Sequence, residues 1–240
     1  MALNTLFPRA KELVNYDYFD IAEGVGVTVY FGLKGDDGEY FVSSSSTVAS
    51  EAIATFLDEE TLTASFVKKF DLDFDLTFNR PKNIKGSLLG NIPIGISAVD
   101  DLAKTIEYYC VMKVYHYDGS TETLLATGQS ETINQGLLQT SLRSFNAMLA
   151  LCHADITTIK HFKKGETLRF SIEGWYKKID GTGTVHCMIC HDPANRPWQS
   201  GKRPQDVASL NEFANEPTGG GSLSYERTQM TFHVPFILDV

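Results

Sequence analysis

Long apolar runs are missing from this chain of 240 residues. No segment approaches the roughly 18 consecutive apolar residues that a membrane-spanning helix needs. The first residues, MALNTLFPRAKELVNYDYF, also contain no apolar stretch of about seven to fifteen residues, the length typical of a secretory signal. We therefore expect the protein to be made in a cytoplasm and to have no membrane partner.

Basic residues are also scarce. The chain has 21 Lys and Arg against 30 Asp and Glu, which gives a formal net charge of −9. Proteins that bind nucleic acids usually carry a basic stripe, and an acidic body is repelled by phosphates and anionic lipid headgroups. The composition therefore predicts no direct contact with nucleic acid.

Cysteine is rare as well, with four residues: Cys110, Cys152, Cys187 and Cys190. In a chain of this length without a secretory signal, we expect the thiols to be reduced and buried as small hydrophobic side chains. The segment from Cys187 to His191 contains C-x-x-C-H, the attachment signature of c-type haem and half of a zinc site.

That segment nevertheless predicts a strand rather than a metal site. Residues three apart on a strand point to opposite faces, so Cys187 and Cys190 do not converge on one metal ion. We expect a buried Cys187 and neither metal nor cofactor. If zinc were bound, Cys152 and His153 would supply the second pair of ligands.

Strings that mark catalytic sites are absent: the chain has no G-x-S-x-G, no P-loop and no G-x-G-x-x-G. The six histidines lack H-E-x-x-H spacing, and each is expected at the surface or at a strand edge. We therefore expect no enzymatic activity. The histidines are His116, His153, His161, His186, His191 and His233.

The sequence does contain turn signals, which lie between stretches of alternating apolar and polar residues. Asp-Gly supplies the positive backbone angles of the two-residue turns that join antiparallel strands. With 15 Phe and 10 Tyr, the chain also has the aromatic content typical of strands. The pattern predicts an all-β protein. The three Asp-Gly pairs are Asp37-Gly38, Asp118-Gly119 and Asp180-Gly181.

The clearest predicted strand covers Phe70 to Phe78, where every even position is apolar and every odd one acidic or polar. A period of two indicates one buried and one wet face. Residues 48–60 are predicted as a short helix, and 137–152 fit either a helix or a strand from Phe145, which we prefer. Further strands are predicted at 26–31, 40–42, 84–96, 106–117, 121–133, 167–176, 183–191 and 228–238, with 183–191 as the hairpin partner of 167–176.

These elements predict one antiparallel β-sandwich over residues 17–240, preceded by an arm at 1–16 and interrupted by a long loop at 191–224. Arms and long loops are where partner contacts concentrate. Trp175 is expected in the core after a bulge at Gly174. The residues expected to contact partners are Phe7, Arg9, Lys11, Trp198 and Arg203.

Several segments carry a resemblance to known proteins. Phe162 to Glu173 resembles a strand start found in many jelly-roll domains, including carbohydrate-binding modules. Together with Tyr16 to Gly24, Val29 to Gly32, Asp71 to Pro81 and Gly183 to Arg196, it is similar to virion structural proteins of tailed viruses. The resemblance covers most of residues 16–196 and implies a sandwich of jelly-roll type, assembled in several copies on a virus head or neck. The chain departs from it in the cysteine and histidine content of 185–192.

The function that this resemblance implies is a non-enzymatic virion protein that decorates, cements or connects the capsid. Its partners would be copies of itself and other capsid proteins, its location would be the virion, and its synthesis would take place in the host cytoplasm. The alternative is a carbohydrate-binding module for attachment to host glycans, with Trp175 or Trp198 stacking on sugar rings.

Overall fold

The computed structural model describes residues 14–15, 25–48, 50–98, 104–137, 145–180, 185–196, 198–199, 225–226 and 228–237. Within these ranges the regular elements are β-strands, which confirms the predicted all-β class. The described part of the chain contains no helix that is long and apolar enough to cross a membrane.

The strands are numbered in chain order. They are β1 (Val14–Asn15), β2 (Val25–Lys34), β3 (Tyr40–Ser43), β4 (Ala54–Glu60), β5 (Val67–Thr77), β6 (Lys82–Ala98), β7 (Lys104–Tyr117), β8 (Glu122–Gln129), β9 (Ile133–Leu137), β10 (Phe145–Phe162), β11 (Thr167–Asp180), β12 (Val185–Cys190), β13 (Trp198–Gln199), β14 (Tyr225–Glu226) and β15 (Thr231–Ile237).

Thirteen of these strands form one hydrogen-bonded sheet in the order β4-β12-β6-β15-β2-β3-β5-β11-β7-β8, with β1 on β2, β10 on β6 and β9 on β7. The sheet folds into two layers. The first contains β10, β6, β12, β15 and β2, and the second contains β5, β11, β7, β8 and β9. The pair β13-β14 forms a separate two-stranded sheet.

Aromatic side chains from the two layers meet in the core. Phe170 of β11 stacks on Phe232 of β15 with 4.3 Å between ring centroids, and Phe74 of β5 lies 5.9 Å from the same ring. All three side chains are fully buried. Face-to-face packing of two sheets over such a core is the β-sandwich arrangement.

The two layers also approach each other at both edges. On one side, β3 pairs antiparallel with β2 and makes a short parallel pairing with β5, through Tyr40 opposite Phe74. On the other side, β8 lies against β10 so closely that a Cβ atom added at Gly128 would stand 2.1 Å from the carbonyl oxygen of His153. A glycine is therefore required at this crossing.

Several predicted elements are confirmed. β2 and β3 form the first hairpin and β7 and β8 another, and Gly38 and Gly119 in their turns have φ of +88° and +97°. β5 buries Phe70 and Phe74 and exposes Asp71, as its alternation predicts. The segment from Phe145 is a strand rather than a helix, since β10 pairs with β6 along its length.

The helix predicted at residues 48–60 is wrong, because this segment contains β4, which pairs with β12. The prediction depended on Ile53, Phe56 and Leu57, and so short an apolar run fits either period. The tertiary context decides: β12 has a free edge that β4 fills.

The hairpin predicted between β11 and β12 is also wrong. β11 is already flanked by β5 and β7 along Thr167 to Tyr176. It therefore has no free edge there, and β12 pairs with β6 and β4 instead. The chain passes from the second layer to the first between these strands.

The predicted arm and long loop lie mostly outside the described residues. Of the arm, Val14 and Asn15 pair with β2. Of the loop, His191 to Pro193 are buried, and Trp198 pairs with Glu226 in β13-β14.

Candidate functional site

One outer surface of the first layer carries exposed leucines. Leu89 of β6 and Leu149 and Leu151 of β10 are 36%, 42% and 55% exposed. Leu151 lies opposite Asn91 and Leu149 opposite Pro93 in the β6–β10 pairing. Directly opposite residues of an antiparallel pair share a face, so these side chains form one surface. We call Leu89, Leu149 and Leu151 the leucine face.

A cleft of about 460 Å³ adjoins the leucine face. Three of its lining side chains are amides, and each of them makes hydrogen bonds within the protein. Asn91 Nδ2 donates to Thr231 Oγ1 at 2.9 Å, and Gln229 Nε2 donates to the carbonyl oxygen of Pro193 at 2.6 Å. The described lining residues are Asn91, Leu149, Asn195, Gln229 and Thr231.

The Asn195 side of this cleft is held in place by buried ionic contacts. Asp192 is fully buried and accepts hydrogen bonds from the Arg196 side chain at 2.8 and 2.9 Å. Arg196 also donates to the carbonyl oxygen of Ser50 at 2.9 Å. Asn195 has a φ of +49°, a left-handed conformation that asparagine adopts more readily than most residues. Its Oδ1 accepts from the backbone of Thr228 at 3.1 Å.

The outer surface of the second layer has a different chemistry. The rings of Trp175 and Tyr109 are parallel to within 6° with centroids 6.2 Å apart, and Phe66 meets Tyr109 edge-on at 4.8 Å. All three are partly exposed. We call Phe66, Tyr109 and Trp175 the aromatic face.

The predicted core position of Trp175 is therefore wrong. Gly174 takes the inward position on β11, where an added Cβ would lie 3.0 Å from Phe70, and Trp175 points outward. The predicted bulge is confirmed, since the register against β5 shifts between Gly174 and Trp175. The bulge lies in the pairing with β5 and leaves the alternation of β11 intact.

Glu173 anchors the charges next to the aromatic face. It is 5% exposed, and its Oε1 accepts from Lys113 at 2.8 Å and Lys68 at 3.2 Å, while its Oε2 accepts from Trp175 Nε1 at 3.0 Å. Burial alone would raise the pKa of Glu173, but the hydrogen bonds from Lys113, Trp175 and Lys68 outweigh it and lower the pKa. Burial, and to a smaller extent Glu173, raises the pKa of Tyr109.

The expectation that every histidine lies at the surface or an edge is wrong for three of them. His116, His186 and His191 are buried. His191 Nε2 lies 2.9 Å from Thr55 Oγ1, and burial lowers the pKa of His191 to about 4. His116 Nε2 lies 2.8 Å from Glu166 Oε2. These hydrogen bonds offset part of the free-energy cost of burying the His116 and His191 rings.

The four cysteines are buried and free, as predicted for their burial. β12 pairs with β4 and β6 along its two edges, and all six of its residues are buried, including Cys187 and Cys190, so both of its faces are covered as well. Burial raises the pKa of Cys152 to about 12. Among the described residues, no group of three His, Cys, Asp or Glu side chains is placed to hold a metal ion.

The residues predicted to contact partners are not tested by this geometry. Phe7, Arg9, Lys11 and Arg203 lie outside the described residues, and for Trp198 only the backbone pairing in β13 is described. Sequence reasoning missed the leucine face. Its signal is that β10 has apolar residues at consecutive positions, so that both of its faces are apolar.

No protein-family model and no curated protein matches the chain. Two crystal structures of a CocE/NonD family hydrolase from Staphylococcus aureus are similar to it, with 11% and 12% identity and TM-scores of 0.40 and 0.42. Each match covers 87% of this chain and 36% of the hydrolase, so the chain spans about a third of that protein. A structure of infectious bursal disease virus, Gx strain, matches with 10% identity and a TM-score of 0.21, covering 90% of this chain and 48% of the other. These TM-scores are below 0.5, so the likenesses support no conclusion about function.

Proposed function

We propose that the protein is a non-enzymatic virion structural protein that decorates, cements or connects a capsid through protein–protein contacts. Two observations support the proposal. One is the resemblance of its sequence segments to virion proteins of tailed viruses, and the other is the leucine face. The partner is a second copy of this chain or another capsid subunit.

The leucine face is the observation that carries the proposal. Leu149 and Leu151 alternate along β10, and Leu89 on the paired strand β6 is diagonal to Leu151, so the three exposed leucines share one face of the sheet. Apolar surface of this kind gains free energy when a partner covers it. Because the leucines stand on strands within a sheet, the surface is preformed and little ordering is needed on contact.

The cleft beside the leucine face supplies the polar half of such a contact. Asn91, Asn195 and Gln229 are uncharged, and amides can both donate to and accept from the main chain of a partner. An apolar centre with neutral hydrogen-bonding groups beside it is the composition of many protein–protein interfaces. The net charge of −9 suits a position on the outside of a particle, away from packaged DNA.

The test compares two leucines of nearly equal exposure on different surfaces. Leu151→Asp places a charge in the leucine face, whereas Leu124→Asp places it on β8 of the second layer, where Leu124 is 52% exposed. We expect sedimentation with purified capsids, or self-association of the full chain, to weaken by about tenfold or more for Leu151→Asp, since a charge would be buried without a partner. Leu124→Asp should behave as the parent protein. Equal behaviour of the two variants would contradict the proposal.

A further inference from the structure

We propose that the aromatic face is a binding site for neutral carbohydrate, a function separate from the assembly contact on the opposite layer. The inference starts from the unusual position of Trp175. An indole on the outside of a sheet leaves apolar area in water, and here its orientation is fixed because its Nε1 donates to Glu173 at 3.0 Å. The indole is therefore preorganised, and a ligand that binds it does not have to order the side chain first.

The geometry of the rings favours a flat apolar ligand surface. Trp175 and Tyr109 lie directly opposite each other on β11 and β7, and their planes differ by 6°. The two rings are stacked with 6.2 Å between their centroids, so the stack is strongly offset and part of each ring lies outside it, and both residues are partly exposed. The C–H face of a pyranose ring is flat and apolar, and it packs on aromatic rings as other apolar groups do.

The surrounding charges select against ionic ligands. Lys68 pairs with Asp71 at 2.5 Å and with Glu173 at 3.2 Å, and Lys177 pairs with Glu107 at 2.6 Å. Lys113 also forms an ion pair with Glu173, so the charges of three lysines and three carboxylates around the rings balance. An anion would meet the carboxylates and a cation the lysines, so a neutral ligand gains most from this surface.

The polar groups next to the rings match hydroxyl-rich ligands. The Tyr109 hydroxyl can donate as well as accept a hydrogen bond. The lysine and carboxylate groups bordering the rings add further donors and acceptors. A saccharide has an apolar ring face bordered by hydroxyl groups. The aromatic face likewise has apolar rings bordered by polar and charged side chains.

The alternative ligand classes fit less well. Nucleobases also stack on aromatic rings, but their phosphates would be repelled by a chain of net charge −9. A protein partner is better served by the leucine face, because charged residues interrupt the aromatic face at Glu173, Lys113 and Lys177. The leucine face on the first layer therefore suits a protein partner, and the aromatic face on the second layer suits a carbohydrate.

The test titrates the full chain with neutral hexaoses (β-1,4-glucan, β-1,4-mannan and α-1,4-glucan) and with sialyllactose and oligogalacturonate as acidic comparators. The chain has two tryptophans, so Trp198→Phe leaves Trp175 as the only indole and its fluorescence as a direct reporter. We expect at least one neutral hexaose to give a saturable fluorescence change and heat of binding at millimolar concentration. The acidic sugars should bind more weakly.

Variants then locate the site. Trp175→Ala and Tyr109→Ala should each weaken binding by about tenfold, the factor that corresponds to ~1.4 kcal/mol of lost ring contact. Tyr117→Ala is the matched control: Tyr117 is on the same strand and the same face, beneath Arg169, and its loss should leave binding unchanged. Circular dichroism of each variant confirms folding, and Trp175→Phe keeps an aromatic ring if Trp175→Ala is unstable.

Three results would overturn the inference: no response to any neutral hexaose, tighter binding of the acidic sugars, or equal binding by the Trp175 and Tyr117 variants. Each is independent of the assembly proposal, because Leu151→Asp lies on the other layer and should leave sugar binding intact.

Discussion

Trp175 Nε1 donates a hydrogen bond to Glu173 Oε2 at 3.0 Å, joining two residues that are neighbours on the outer face of β11. The other oxygen of the same carboxylate holds Lys113 and Lys68. The carboxylate is nearly buried because these partners cover it. Glu173 thus connects three strands and sets the orientation of the indole.

Replacing Glu173 by glutamine tests this connection. Glu173→Gln keeps the size of the side chain but removes the charge that Lys68 and Lys113 neutralise. We expect the free energy of unfolding to fall by about 1.5–3 kcal/mol, the range for hydrogen bonds to charged groups. Urea denaturation measures it. Glu131→Gln, at an exposed position, is the control and should change stability little; equal losses would show that the cluster contributes nothing.

The buried His191 predicts a loss of stability in mild acid. Burial lowers its pKa from 6.5 to about 4 in the folded protein. The unfolded chain therefore takes up this proton first as the pH falls, and stability is lost between about pH 6.5 and 4. We expect a loss of about 2 kcal/mol between pH 7 and 5 from this residue, since each pKa unit corresponds to about 1.4 kcal/mol.

A pair of variants isolates that contribution. His191→Gln can keep a hydrogen bond to Thr55 but has no titrating ring, so its unfolding free energy should depend less on pH. His153→Gln removes an exposed ring and should keep the parent slope. If His191→Gln loses stability between pH 7 and 5 as steeply as the parent protein, His191 does not cause the acid sensitivity.

The contact of β8 with β10 predicts an unusually costly glycine substitution. An alanine Cβ at Gly128 would stand 2.1 Å from the carbonyl oxygen of His153, so one of the two strands must move. We expect Gly128→Ala to reduce the unfolding free energy by about 3 kcal/mol or more. Gly119→Ala has open space but a φ of +97°, and should cost about 1–2 kcal/mol. A Gly128 variant no less stable than the Gly119 variant would show that the layers do not touch at this edge.

The thiols should be unreactive in the folded protein. Cys110, Cys152, Cys187 and Cys190 are buried, and burial raises the pKa of Cys152 to about 12. Alkylation requires the thiolate and access to it. We expect iodoacetamide to label no cysteine under native conditions and four after denaturation, counted by intact mass. Rapid labelling of one thiol in the native protein would contradict the burial of that residue.

The positions of most strands and turns could be predicted from the sequence because they depend on local chemistry. The strand β5 is determined by its own alternation of apolar and polar residues, and the two hairpin turns by the positive φ of Gly38 and Gly119, so each depends on only a few neighbouring residues. β4 was predicted as a helix because Ile53 and Leu57 also fit a helical period. Its strand conformation is imposed by β12, more than a hundred residues away.

The candidate sites were harder to predict because they depend on which strands become neighbours. Trp175 was predicted in the core, and its outward position follows from Gly174 making room for Phe70 across the β5 pairing. The leucine face requires β10 to pair with β6 in one register, which places Leu151 beside Asn91 and Leu149 beside Pro93. Such pairing between distant segments is not encoded in any local pattern.

Cryo-electron microscopy of virus particles purified from cells that produce this protein tests the proposed virion role most directly. We expect the protein to lie on the outside of the capsid, with Leu89, Leu149 and Leu151 covered by a neighbouring subunit. A particle in which these leucines face solvent while another surface makes the contact would contradict it, as would a particle without the protein.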